Sequence, residues 1–441
     1  MNKKTENKAV SPWQWVPSLY FAQGIPYVVV MSVAVILFKR MGMSNTDIAL
    51  YTSGLNLPWV IKPLWSPLVD LLKTKRWWIV VMQILVGAGL AGIALTIQGP
   101  LAFRYCLAFM SLLAFSSATH DIAADGFYML GLNEKKQAYF VGIRNTFYRF
   151  AVIFGQGILV MFAGWLEQRY AREMPETAAI PQAWSLTFYL LTILFALLFV
   201  YHYLFLPHPR RDTCTLPPQQ ASAGRVFKEF LGTFTSFFQK KHIVSALIFI
   251  LLYRFAEAQL VKITSPFLLD TPATGGLALS TAEVGFIYGT IGVIALTIGG
   301  IVGGIAMARR GLKSCLWTMT IAMNLPNIVY LYLSFARPES IGIISGCVAI
   351  EQFGYGFGFT SLTYFMMLFS NGKHQTAHYA ICTGFMALGL MLPGMISGWI
   401  EESIGYRAFF VWIMLCTIPS FWATHLVRKN LTDNHSDNSS R

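Results

Sequence analysis

The chain alternates, almost from end to end, between apolar runs of about 20 residues and short breaks of charged, proline or glycine residues. In helical form, such a run crosses the ~30 Å hydrocarbon core of a bilayer. The runs occupy residues 14–38, 48–70, 77–97, 103–131, 138–166, 184–206, 242–268, 281–307, 313–335, 340–369, 375–400 and 406–427. An all-α membrane protein with twelve transmembrane helices is expected. One break is long: residues 207–241, containing PHPRR, PP and KK. It divides the chain into an N-terminal six-helix half (1–206), a cytoplasmic linker (207–241), a C-terminal six-helix half (242–428) and a cytoplasmic tail (429–441). The first run is too long for a cleavable signal and lacks a small-residue cleavage site, so it counts as a helix.

Composition narrows the class. Of 441 residues, 55% are hydrophobic and 12% charged, with a mean hydropathy of +0.54; soluble domains of this length carry about twice that charge. Twenty-one of the 33 lysines and arginines fall in alternate breaks together with both termini, against seven on the other side. The excess of positive charge places both termini in the cytoplasm. The net charge of +13 follows from this bias and from anionic headgroups, so no nucleic-acid partner is implied. Six scattered cysteines have no metal-ligand spacing, and neither a metal nor a cofactor is expected. Gly354-x-Gly356-x-Gly358 follows no strand and lies inside a span, so it is not a nucleotide loop.

The charges left inside the spans are Lys62, Arg144, Arg149, Arg254 and Lys262, against Asp121, Asp125, Glu257 and Glu351, with His120 beside them. Ionised groups in hydrocarbon are expensive, and they mark sites by default. Counting outward from the turn near Glu134 sets Asp125 level with Arg144 and Asp121 near the level of Arg149. Two acid–base rungs are expected, with one arginine facing a central cavity, because Arg144 and Arg149 are about 140° apart on a helix. Lys62 reaches a similar depth, so three cations meet two carboxylates and favour an anionic substrate. Arg254 and Glu257, three apart, are placed to pair locally. Glu257 and Glu351 lie near mid-membrane, where a carboxyl group can bind and release a proton. Gly24/Pro26, Pro58/Pro63/Pro67 and Pro393/Gly394 are expected to break or bend spans 1, 2 and 11. Tyr27, Trp59, Tyr148, Tyr253 and Tyr355 read first as belt or packing aromatics.

Two loop segments resemble the loop motif of the major facilitator superfamily. SPLVDLLKTKR after span 2 keeps Asp70 and Lys75, and GIAMARRGLK after span 8 keeps Gly304, Arg309, Gly311 and Lys313. The halves look like one unit repeated about 238 residues apart, as in rocking transporters. More specifically, FAQGIP (21–26), KPLWSPLVD (62–70), SSATHDIAAD (116–125), LLYRFAEA (251–258), EQFGYGFG (351–358) and TAHYA (376–380) resemble the AmpG family of muropeptide permeases, which shares a wider grouping with acetyl-coenzyme A transporters. His120 stands where that pattern has Gln, and Glu257 where it has Asp.

The resemblance implies a proton-coupled symporter that imports N-acetylglucosamine–anhydro-N-acetylmuramic acid, with or without peptide, across the bacterial inner membrane. It is not an enzyme, and it is expected to act as a monomer. Asp121, Glu257 and Asp125 are the expected proton carriers. Lys62, Arg144, Arg149, Glu351, Tyr148 and His120 are the expected substrate contacts. Asp70, Lys73, Lys75, Arg76, Arg309 and Arg310 are expected to latch the cytoplasmic gate against the other half. Another sugar or acidic oligosaccharide, or a coenzyme A thioester, is the alternative cargo.

Overall fold

A computed structural model describes residues 11–209, 212, 232, 234–371 and 375–438; most of the expected linker and the last residues of the tail lie outside them. Among the described residues, eight continuous helical runs are long and apolar enough to span a membrane. Two of these, Thr281–Ala336 and Ala377–Asn430, contain 56 and 54 residues. Each would be about 80 Å long at 1.5 Å per residue, far more than one crossing needs. Both turn back at a glycine: Gly311 has φ 73° and Gly405 has φ 76°, a left-handed conformation that costs glycine alone nothing.

These eight runs, two of them doubled, give ten crossings, and two further helices, α2 and α10, complete twelve: α1 (Pro12–Arg40), α2 (Asn45–Gly54 and Leu57–Leu72), α3 (Lys75–Thr96), α4 (Ala102–Gly131), α5 (Glu134–Val152, continued to Tyr170) and α6 (Glu176–Phe205), followed by α7 (Ile243–Leu252 and Phe255–Leu269), α8 (281–310), α9 (312–336), α10 (Ile341–Ser370), α11 (375–404) and α12 (406–438). They form the two six-helix halves of the major facilitator fold.

Proline explains two of the irregularities. Pro26 cannot donate to the helix ladder, and α1 widens by one residue per turn over Val29–Val33 just after it. In α2 the helix stops at Gly54 and restarts at Leu57, with Pro58 in the new first turn, where a missing N–H is harmless. Pro393, by contrast, leaves α11 unbroken, and the non-helical residue of that run is Gly405. The break in α7 has no proline: Tyr253 and Arg254 interrupt it, Arg254 having φ −108° and ψ 21°.

The halves meet on the side opposite the linker. There α5 and α8 cross through widened turns, Ile153–Leu159 and Gly285–Gly292. A Cβ on Gly289 would collide with the backbone of Gln156 and Gly157, and one on Gly164 with the backbone of Ala282. Small residues of this kind allow helix backbones to touch in a membrane.

A polar network seals the same side. Lys39 Nζ pairs with Asp270 Oδ2 at 2.7 Å and donates to Asn45 Oδ1 at 2.8 Å. Asn45 donates to Glu401 (2.6 Å) and to the Tyr406 hydroxyl (2.8 Å), and Tyr406 donates to Asp270 at 2.6 Å. Thr281 joins α8 to Glu167 of α5 at 2.7 Å. Nearer the linker side, Gly384 of α11 lies against the Val60 carbonyl and the Pro63 ring of α2.

Two outcomes follow for stability and closure. Gly289→Leu should lower stability by about 1–3 kcal/mol through overpacking, read as thermal unfolding in detergent, whereas Gly304→Leu, facing open space, should change it by less than about 0.5 kcal/mol; equal effects would show that the crossing is loose. Lys39→Glu sets a third carboxylate beside Asp270 and Glu401 and should open the seal to a membrane-impermeant thiol reagent at a cysteine placed at Thr46. Adding Asp270→Lys should restore protection.

Candidate functional site

Asp121 and Asp125 lie one turn apart on α4 and share a face. Asp121 accepts from two side chains, the Lys62 ammonium of α2 and the Gln23 amide of α1. Asp125 pairs with Arg144 of α5 (3.3 Å) and accepts from the Tyr20 hydroxyl of α1 (3.0 Å). Arg144 also donates to Tyr20 at 3.0 Å, and its guanidinium lies over the rings of Tyr20 (4.8 Å) and Tyr128 (5.1 Å). The carboxylates keep part of their surface, with side-chain exposures of 22% for Asp121 and 40% for Asp125. Charges that retain such exposure escape most of the desolvation cost of a dry ion pair.

The Asp125–Arg144 rung thus forms as the spacing predicts, but the Asp121–Arg149 rung does not. Lys62 takes Asp121, and the five-residue offset from Arg144 turns Arg149 about 140° around α5. Arg149 is partly exposed, and no salt bridge reaches it among the described residues. It lies within electrostatic reach of Tyr27, Tyr148 and Tyr355. Tyr27 packs edge-on to Trp59 (5.3 Å) and beside Tyr148 (6.4 Å), so three aromatics from α1, α2 and α5 stand together next to Arg149.

His120 is placed elsewhere. It is 2% exposed and meets Gln83 of α3 at 3.1 Å. Gln83 also contacts His202 of α6 at 2.8 Å, and His202 contacts Ser18 of α1 at 3.0 Å. Neighbouring helical residues diverge by 100°, so with Asp121 facing α1 and α2, His120 must point into the first half. The chain it begins links four helices, away from the Asp121 side of α4.

The second half contributes a more enclosed group. The α7 break removes Arg254 from the helical spacing that would have paired it with Glu257. Its Nη2 instead donates to the Tyr355 hydroxyl of α10 at 2.6 Å, and its guanidinium lies between the Tyr355 (5.1 Å) and Phe359 (5.0 Å) rings. Glu257 is 3% exposed, and its Oε2 has no hydrogen-bond partner. Glu351, 2% exposed, accepts from Tyr330 (3.1 Å) and Gln352 (2.9 Å). The structure sets Glu351 in a closed pocket with Glu257 in electrostatic reach, rather than on a water-facing wall with the expected substrate contacts. Lys262 reaches across the halves to Thr52 at 3.2 Å. Tyr253 is a packing residue, bonded to Gly358 O and Ser361.

Of the expected gate residues, Arg76 and the backbone of Lys75 hold elements of their own half. The Asp70 side chain lies outside the described residues. Lys73 is exposed, 6.0 Å from the Trp77 ring. The backbone N–H groups of Lys75 and Arg76 donate to the Asp212 carboxylate at 2.7 and 3.1 Å, an anion on a helix N-terminus. The Arg76 side chain donates to the carbonyls of Leu206 and Tyr203. These contacts fasten the start of the linker to α3 and α6 of the first half. Arg309 and Arg310 are exposed beside the Gly311 turn. Among the residues that join the halves, Lys39, Asn45, Asp270, Glu401 and Tyr406 sit at span ends. Sequence reasoning counted Lys39 as loop charge, and no spacing rule links residues 231 positions apart, as Lys39 and Asp270 are.

Comparison with known proteins agrees with this geometry. A transporter named AmpG 4 from Rickettsia conorii is 25% identical over 415 residues, covering 92% of this chain and 93% of that protein. The anhydromuropeptide permease of Escherichia coli K12 is 24% identical over 420 residues, covering 94% of this chain and 79% of that protein. Among solved structures, a D-xylose-proton symporter superposes with a TM-score of 0.69 at 13% identity, covering 94% of this chain and 96% of that one; at that identity it shares the fold alone. The resemblance to AmpG permeases read from the helix 2 and helix 4 stretches is matched by these relatives. The Major Facilitator Superfamily sequence profile matches residues 18–376, and with twelve crossings in two halves and charged side chains paired inside the spans, the chain belongs to that superfamily of membrane transporters.

Proposed function

We propose that the protein is a proton-coupled symporter that carries anionic anhydromuropeptides into the cytoplasm across a bacterial inner membrane by alternating access, with both termini cytoplasmic. The observation that supports this most is the excess of cations in the cleft: Lys62 and Arg144 answer Asp121 and Asp125, which leaves Arg149 to a ligand. A lactyl or peptide carboxylate suits that charge. The neighbouring Tyr27, Trp59 and Tyr148 rings offer flat apolar faces to a sugar. The relatives named for muropeptide transport support the same cargo.

In this reading Asp121 and Glu257 are the proton carriers. Asp121 holds Lys62; a proton on Asp121 releases the Lys62 ammonium to a substrate carboxylate, so proton uptake and anion binding favour one another. Glu257 is buried with one carboxylate oxygen unpartnered, and neutralising it lowers the cost of closing a dry cavity around it. Each positive charge that moves inward gains about 2.3 kcal/mol per 100 mV of membrane potential.

The test is uptake of radiolabelled N-acetylglucosamine–anhydro-N-acetylmuramic acid by proteoliposomes under an imposed pH gradient. Asp121→Asn and Glu257→Gln should each abolish gradient-driven accumulation while retaining exchange of internal for external substrate, because exchange requires no net proton movement. Accumulation persisting in both variants would sink the assignment, and uptake of simple disaccharides in place of the muropeptide would sink the cargo.

A further inference from the structure

We infer that Glu401, in the seal opposite the linker, is a proton-binding site that fills as that side closes, so that acid in the adjoining solution favours closure. This rests on the alternating-access reading above, but on neither its cargo nor its proton carriers. The seal sets two carboxylates against one ammonium. Lys39 pairs with Asp270 at 2.7 Å, and the Tyr406 hydroxyl donates to the same Asp270 oxygen at 2.6 Å. Glu401 is 4% exposed, and among the described residues its one hydrogen bond comes from the neutral Asn45 amide at 2.6 Å. Gly398, about one turn before it on α11, packs so closely on α2 that a Cβ there would collide with the Asn45 backbone, so the two helices touch without water between them.

The other charged groups around the seal are engaged elsewhere. Glu402 accepts from the backbone and hydroxyl of Thr46, and Asp47 accepts from the Ser44 hydroxyl. Arg40 pairs with Glu167 and Glu176, Arg337 donates to the Pro272 carbonyl, and Arg407 donates to the Ser334 carbonyl with its guanidinium over the Phe335 ring. Lys262, deeper on α7, is bonded to Thr52. With both carboxyl groups ionised, the closed seal holds one negative charge that no cation answers, and enclosing such a charge is costly. A proton on the Glu401 oxygen that Asn45 does not bond makes the network neutral and leaves the Asn45 contact intact. Closure and proton binding therefore favour one another. When the halves part, α1 and α2 leave α7, α11 and α12, Glu401 meets water, and the proton returns to the solution it came from. It gates the movement and is not carried across.

The experiment uses the full chain in lipid nanodiscs and measures, by pulsed electron–electron resonance, the distance between spin labels on Gln98→Cys and Ala273→Cys, exposed positions on that side of the two halves. The parent for the measurement carries Asp121→Asn and Glu257→Gln, so that the proposed carriers do not titrate. Lowering the pH from about 8 to about 5, toward the carboxylate range, should raise the ratio of short to long distances by up to about tenfold per pH unit, the limit for one proton. Glu401→Gln keeps the shape and an acceptor for Asn45, and it should hold the short distance at both pH values. Agreement of that distance with the parent's at low pH shows that the variant is folded. A pH response that persists in Glu401→Gln, or that is missing from the parent, would overturn the proton site and leave the permease reading standing. If the labels respond as expected while the uptake test above fails, the gating proton holds and proton-coupled muropeptide symport falls.

Discussion

An ionised carboxylate inside a bilayer must be met by a countercharge, by hydrogen-bond donors or by water, and the first half of this protein is arranged around meeting that demand for Asp121. Lys62 from α2 and Gln23 from α1 both converge on it, so one side chain ties three helices together at mid-depth. Removing either donor would leave the carboxylate to the other and to its exposed edge. The same constraint makes the pair useful, because a contact that exists only while the acid is ionised is one that a proton can undo. Asp125, with Tyr20 and Arg144, repeats the arrangement one turn along and fixes α5 against α4.

Depth in the membrane was legible from the chain; rotation about the helix axis was not. Counting from Glu134 correctly set Asp125 beside Arg144, since both residues hang from one tight hairpin whose turn is an unambiguous origin. Asp121 went to Lys62 instead of Arg149, because spacing along two helices says nothing of a third helix that brings its own ammonium to the same level. His120 illustrates the same gap: adjacent to Asp121 in the chain, it faces the opposite way and meets Gln83. Arg254 and Glu257 failed to pair because α7 unwinds between Leu252 and Phe255, where neither glycine nor proline announces a break. The twelve spans and the loop motif were readable because hydropathy and turn residues are local properties. The seal built from Lys39, Asn45, Asp270, Glu401 and Tyr406 was not, since its members come from five crossings that only the folded halves bring together.

The two junctions between the halves use different physics. Where α5 crosses α8, contact is steric, with glycines admitting backbone to backbone and dispersion over short distances supplying the attraction. Where α1, α2, α7, α11 and α12 meet, contact is electrostatic and directional. A steric crossing can serve as a fulcrum because it carries no bonds that must break as the angle changes, while a polar network gives or holds as a unit. The cleft with its charged residues lies between the two.

The glycine turns at Gly311 and Gly405 extend this division of labour. With a single glycine and no loop between them, α8 and α9 form one jointed rod, and so do α11 and α12. The first rod bears the α5 crossing at Gly289 on one arm and Tyr330, the donor that holds Glu351, on the other. The second carries Glu401 just before its turn and Tyr406 just after. A rod of this kind has little slack in which to absorb a displacement, so tilting at the crossing travels along the first arm, round the bend and into the phenol that grips the buried acid. One residue in a left-handed conformation thereby gears the contact between the halves to a buried carboxyl group.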